Sequence, residues 1–261
     1  MNVARVLRTI GQQVLCAGFA GGGPGKALRD DLTSLGIAHA FVETASSTRV
    51  CITVIDNHSS HATELIEEPG GVSIEEMHEL SRVIHTHVQR AGVVVCAGAL
   101  APGVDETFYA EVVKMSATTP VIVDARGAAL RYACVAGAIA KCNAQELAET
   151  FAQTSDPARA ALDAGAKAVL VTDGPRPARF VTPGAAHALT TPEVRVVSPI
   201  GSGDSVAAGL AAGIERGWSF VESARLGIAC GCANAQTPVA GQVDPDEVLR
   251  LMQRVEVTDL R

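Results

Sequence analysis

Asp204 follows Gly201-Ser202-Gly203 directly, inside the stretch Val196 to Gly213 that reads VVSPIGSGDSVAAGLAAG. The pattern predicts a short apolar strand, a turn, and then a helix of very small residues. Two glycines let the backbone fold tightly and approach a ligand with no Cβ in the way. The N–H groups that open a helix have no partner inside it, so they form a site for an anion. Asp204 is acidic and therefore badly placed to bind a phosphate itself. It is better placed to take a proton from a hydroxyl that attacks the phosphate. A nest of donors beside a carboxylate at one helix start points to phosphoryl transfer. The plainer alternative is that Asp204 caps the helix, as Asp commonly does, and the tetrapeptide leaves both readings open.

Other chemistry-bearing residues recur at the ends of apolar runs. Val93 to Cys96 ends in Gly98, Val121 to Val123 in Asp124, and Ala138 to Ala140 in Lys141-Cys142-Asn143. Ala168 to Val171 ends in Thr172-Asp173-Gly174, and helix-like segments separate these runs. Continuous apolar strands alternating with helices predict a parallel sheet covered on both faces. The carboxyl ends of such strands are where ligands bind. Asn143-Ala144-Gln145-Glu146 reads either as a capped helix start or as a carboxylate that steadies Mg²⁺ through water, since Mg²⁺ keeps several waters and needs few carboxylates.

Ahead of these runs, Asn2 to Ile10 reads as a helix and Val14 to Ala17 as a strand leading into a glycine-rich turn, 18–25. That turn is no nucleotide loop. A Walker A motif needs Gly and Ser or Thr where Ala20 and Ala27 stand, and Lys26 occupies the last glycine of a dinucleotide fingerprint. A helix from about Pro24 to Leu35 follows, then strands at 40–42, 48–56 and 63–67. These carry little apolar mass and predict a small sheet standing off the main domain as a lid, about 38–56 and 63–69. Ser73 to Glu76 is a capping box.

Composition narrows the class. The chain has 261 residues, 48% of them hydrophobic and only 3% aromatic, which suits small-residue helices over a parallel sheet. A net charge of -7 without a Lys/Arg cluster argues against a nucleic-acid partner. No apolar run approaches the roughly 20 residues of a membrane span, and the start lacks a signal peptide's apolar core, so a cytoplasmic location and no membrane partner are expected. The seven cysteines have no zinc-site spacing and read as free thiols.

With these residues in hand, the chain resembles the PfkB group of the ribokinase-like sugar kinases. Pro199-Ile200-Gly201-Ser202-Gly203-Asp204-Ser205, followed by Ala207-Ala208-Gly209, is similar to that family's C-terminal signature. The resemblance implies one ribokinase-like kinase domain over 1–261: a three-layer αβα sandwich with a mostly parallel sheet and a small β lid, partly missing at the N-terminus. It implies that Gly201, Ser202 and Gly203 form the anion hole and that Asp204 is the base. Lys141, Asn143, Thr172, Gly174 and Asn234 fall at positions that serve ATP in the family, and Glu146 and Asp124 at those that hold Mg²⁺ through water. Thr48-Arg49 matches the lid segment whose Arg holds the substrate phosphate, and Asn2-Val3-Ala4-Arg5 the helix whose leading Asn contacts the sugar.

The likeness is closest to the hexose-phosphate branch. It therefore implies ATP-dependent phosphorylation of tagatose-6-phosphate, fructose-6-phosphate or fructose-1-phosphate, and a homodimer through the lid. Family members carry a Gly-Gly-Lys-Gly turn and, by typical element lengths, about 40 residues before the Asn-Val-Ala-Arg helix. Here that helix starts at Asn2, and a catalytically silent or truncated member that only binds nucleotide or sugar phosphate is the alternative expectation. Cys142, Pro177, Ala99, Ser198 and Arg126 also depart from the family pattern.

Overall fold

The chain opens on helix α1 (Asn2–Thr9), which buries Ala4, Val6 and Leu7 on one stripe. The computed structural model describes residues 1–55 and 62–260. These divide into two compact units, one built from Val14–Thr86 and Leu100–Asp105, the other from Met1–Gln13, His87–Ala99 and Glu106–Arg261.

In the smaller unit, β1 (Leu15–Phe19) pairs in parallel with β2 (Ala38–Val42) through the crossover helix α2 (Gly22–Ser34). The glycine run is therefore not all turn, since Gly22, Gly23 and Gly25 lie in α2. β3 (Cys51–Ile55) and β4 (Ala62–Ile66) form an antiparallel hairpin. Asp56, His58 and His61, at the end of the expected strand and in the loop after it, lie outside the described residues. The strand expected from Thr48 begins at Cys51 instead. Thr48 is committed elsewhere: its N–H donates to the Gly21 carbonyl at 2.9 Å, and its Oγ1 accepts from the Gly21 N–H at 3.0 Å. α3 (Ile74–Val88) starts with the expected capping box, Glu76 N–H to Ser73 Oγ and Ser73 N–H to Glu76 Oε2.

The larger unit is a seven-stranded sheet. β5 (Val94–Ala97), β6 (Val121–Asp124), β7 (Ile139–Asn143) and β8 (Ala168–Asp173) run in parallel. The helices α4 (Phe108–Met115), α5 (Gly127–Val135), α6 (Ala144–Thr150) and α7 (Pro157–Asp163) connect them. Beyond β8 the pairing turns antiparallel through β9 (Arg176–Thr182), β10 (Ala185–Leu189) and β11 (Val257–Leu260), whose range follows the remaining helices. The parallel strands are the ones legible as apolar runs. In β9 the apolar pattern is broken by Arg176, Pro177 and Arg179, and all four residues of β11 are exposed, so neither strand announces itself.

Three helices complete the unit: α8 (Ser202–Glu215), α9 (Phe220–Ala235) and α10 (Pro245–Arg254). α1, α8, α9 and α10 pack with one another, α4 to α7 do likewise, and both groups touch the sheet, giving three layers. The small residues of α8 explain how closely α9 lies. A Cβ on Gly209 would stand 2.6 Å from the Leu226 carbonyl oxygen, and one on Gly227 would stand 2.8 Å from that of Val206. One expected element is absent, for residues 196–199 form no strand. The N–H groups of Val197 and Ser198 donate to the Ala235 carbonyl at the end of α9 (2.8 and 3.2 Å), which ties this segment to a helix rather than to the sheet. Among the described residues no helix is long and apolar enough to cross a membrane.

Candidate functional site

The turn that opens α8 is built around a left-handed residue. Gly201 has φ +79°, and a Cβ there would also meet Ala240 Cβ at 2.8 Å, so glycine is required twice over. The turn closes with the Ser202 N–H on the Pro199 carbonyl at 3.2 Å and the Ser205 N–H on the Gly201 carbonyl at 2.9 Å. The N–H groups of Gly203 and Asp204 lie in the first turn of the helix, where no carbonyl of the helix can reach them. Asp204 makes no side-chain cap, and the α8 cap residue is Gly201. Its carboxylate instead accepts from Asn2 Nδ2 at 2.8 Å. Asn2 thus stands against the expected base itself, 202 positions away in sequence.

The strand ends add a second group. Asp124 and Lys141 are register partners on adjacent parallel strands, and Lys141 Nζ donates to Asp124 Oδ2 at 2.8 Å. The lysine side chain is 4% exposed and the aspartate 15%, so this is a buried pair. Burial pushes the Asp124 carboxyl above the ordinary carboxylate range; the Lys141 ammonium opposes that shift, while the charges of Asp204 and Glu146 add to it. A Cβ on Gly203 would stand 2.8 Å from Lys141 Nζ, which puts the ammonium directly against the first turn of α8. The larger unit therefore gathers one lysine and the carboxylates of Asp124, Asp204 and Glu146 at the carboxyl ends of β6 and β7 and the start of α8.

Asn143 and Glu146 make a complete capping box: the Glu146 N–H donates to Asn143 Oδ1 at 2.8 Å and the Asn143 N–H to Glu146 Oε2 at 3.0 Å. The structural reading of Asn143 thus holds, with its side-chain oxygen spent on the helix start. Thr172 is the register partner of Asn143 on β8, and its hydroxyl donates to the Cys142 carbonyl at a long 3.4 Å. Gly174, at φ +58°, makes the turn from β8 to β9.

Asn234, also expected beside the nucleotide, lies near the end of α9. It is fully buried. Its Nδ2 donates to the Ile200 carbonyl at 2.8 Å and to Ser202 Oγ at 3.1 Å, and its Oδ1 accepts from the Gly241 N–H at 2.8 Å. The amide is consumed in holding the turn from beneath. In the smaller unit, Arg49 is exposed and lies in a segment without regular structure.

The donor set fits a magnesium–nucleotide complex. Glu146 and Asp124 each spend one carboxylate oxygen on a protein donor, and a carboxylate oxygen left over is the kind of group that Mg²⁺ takes through its waters. A Cβ would close the cradle at Gly201 and Gly203. Two features escaped the sequence reading, the Asp124–Lys141 pair and the seating of Asn2 on Asp204. The first had a signal: both residues close consecutive apolar strands, so a parallel register brings them side by side. The second links residues whose separation gives no periodic clue.

Residues 1–247 match the family model described as pfkB family carbohydrate kinase. The chain is 28% identical over 263 residues to the ATP-dependent 6-phosphofructokinase isozyme 2 of Mycobacterium tuberculosis, an alignment spanning 97% of this chain and 78% of that protein. It is 26% identical over 273 residues to the tagatose-6-phosphate kinase of Staphylococcus epidermidis, spanning 100% of this chain and 87% of that protein. The crystal structure of phosphofructokinase-2 from Escherichia coli in complex with potassium superposes with a TM-score of 0.86 at 25% identity, covering 97% of this chain and 85% of that one.

Proposed function

The chain belongs to the pfkB family of carbohydrate kinases, and on that premise we propose that it transfers the γ-phosphoryl group of ATP to a phosphorylated ketohexose. Tagatose-6-phosphate, fructose-6-phosphate and fructose-1-phosphate are the candidate acceptors, each giving a bisphosphate. The observation that carries the reading is the meeting of Asp204, oriented by Asn2 at 2.8 Å, with the open N–H groups at the start of α8.

Asp204 receives the acceptor hydroxyl's proton late in the transfer, because a carboxylate is far too weak a base to ionise an alcohol beforehand. Oriented by Asn2, it points one oxygen at a fixed partner and keeps the other for the hydroxyl. The Gly203 and Asp204 N–H groups stabilise the charge on the transferring phosphoryl group without having to reorganise. Lys141 places a cation against the same turn, and its ion pair with Asp124 keeps it there. Glu146 and Asp124 would hold Mg²⁺ through water, which would supply positive charge to offset that of the nucleotide phosphates. Arg49 grips the acceptor's existing phosphate with its planar fork of donors.

The test is phosphorus NMR of Mg-ATP incubated with the chain and each of the three sugar phosphates. A new phosphomonoester signal appearing in step with ADP, for at least one of them, is the expected result. ADP formation that is the same with and without sugar, or none at all from a folded sample, would overturn the reading.

A further inference from the structure

We infer that Asn234 is a positioning residue, which joins the phosphate-holding turn to the contact that orients Asp204. The inference rests on the kinase reading above. Asn234 lies near the end of α9, fully buried, and bonds two separate pieces of backbone with one amide. Its nitrogen fixes the turn through the Ile200 carbonyl and Ser202 Oγ, and its oxygen fixes the Gly241 N–H. The Asn234 carbonyl accepts from the Thr237 N–H at 2.9 Å, and the single Thr237 O–H is shared between the Asn234 carbonyl at 2.9 Å and the Val239 carbonyl at 3.0 Å, so the loop 237–241 is tied back to the same residue.

That loop is wedged between the two partners of the reaction site. On one side Ala240 lies against Gly201, where a Cβ would come within 2.8 Å of the Ala240 Cβ. On the other, Gly241 lies against Asn2, with φ +75° and room for no Cβ, since one would stand 2.8 Å from the Asn2 Cα and 3.0 Å from its carbonyl oxygen. Asn2 then reaches Asp204 at 2.8 Å. The chain of contacts runs Ser202, Asn234, Gly241, Asn2, Asp204 and closes on itself within the larger unit. An asparagine is suited to this because its one amide presents a donor and an acceptor in opposite directions. Aspartate has the same shape and no donor, and would set an anion against the Ile200 carbonyl. A misplacement of about 1 Å in such a constellation costs on the order of 100-fold in rate.

The experiment compares Asn234→Asp, Gly241→Ala and Asn2→Ala, alone and with Asn2→Ala combined with each of the others, in the full chain. The readouts are kcat, the KM for ATP, and amide hydrogen exchange at 2–5 and 201–205. Asn234→Asp and Gly241→Ala are each expected to lower kcat on the order of 100-fold, with the KM for ATP within about twofold. Each double variant is expected to be no slower than its slower parent, because coupled residues are not additive. Exchange at both segments is expected to rise together in each single variant. A raised KM for ATP with kcat intact would make Asn234 a nucleotide contact and overturn the inference. Additive losses, or exchange that rises at only one segment, would overturn it equally. Should Asn234→Asp not fold, Gly241→Ala decides on the same criteria. An unmodified chain without turnover condemns the kinase reading alone, and the exchange pattern then decides the coupling by itself.

Discussion

The Gly201–Asp204 turn and the Thr48–Arg49 segment carry the two ends of the proposed reaction, the phosphoryl transfer and the grip on the acceptor, and they are built in opposite ways. The turn rests on buried bonds from Asn234, on the glycine seam between α8 and α9, and on the ion pair of Lys141 with Asp124. Arg49 is an exposed side chain on irregular backbone, followed by a hairpin whose Ile52 and Val54 are 54% and 55% exposed. The contrast teaches where each property resides. On the proposed reading, transfer chemistry rests on backbone geometry that tolerates few residues, whereas acceptor binding rests on a side chain whose surroundings constrain it little.

Breaking the buried pair is the most damaging way to test this. Lys141→Met leaves Asp124 in a buried place beside Asp204 and Glu146 without its cation, and is expected to cost about 3–5 kcal/mol of stability at pH 8. Urea titration measures it. The loss should shrink as pH falls, because Asp124 can then take up a proton. On the other side of the comparison, Arg49→Ala should leave stability unchanged and raise the KM for the acceptor by roughly 10- to 100-fold, corresponding to about 1.5–3 kcal/mol for a charge-assisted contact. Arg49→Lys should fall between, since it keeps the charge and loses the fork.

A matched pair of substitutions sharpens the contrast. Gly209→Ala forces a Cβ to within 2.6 Å of the Leu226 carbonyl and should cost about 1–3 kcal/mol, read as a lower denaturation midpoint. Val54→Thr on the exposed hairpin should move that midpoint by no more than about 0.5 kcal/mol. The smallest effect concerns pH. The folded Asp124 carboxyl titrates above its unfolded value, so between the two the folded protein holds the extra proton. Stability should therefore fall as pH rises through that window and level off above it. Asp124→Asn removes the titrating group and should flatten that part of the stability–pH curve.

What the sequence discloses follows the same division. The parallel strands β5 to β8, the glycine turn and the capping boxes at Ser73 and Asn143 are legible, because burial on both faces and helix starts demand particular residue types locally. The antiparallel strands β9 and β11 are not, since Pro177 and Arg179 interrupt the first and exposure removes the pattern from the second. Val196 to Pro199 reads as a strand by composition but is tied to α9, a tertiary bond that no local propensity encodes. At the site, residue types pointed to Asp204 and Lys141. The contacts that hold Asp204 and its turn did not follow from type, because Asn2 reaches Asp204 across 202 positions and Asn234 reaches Ser202 across 32.

The central claim is that Asp204 takes the proton in phosphoryl transfer rather than capping a helix. The direct measurement is kcat for Asp204→Asn against the unmodified chain, at saturating Mg-ATP and the best acceptor, with the denaturation midpoint of both. A fall of about 100- to 10,000-fold in kcat with an unchanged midpoint is predicted, the range expected for loss of a general base. A variant that keeps its kcat and loses stability would make Asp204 a structural residue and contradict the account.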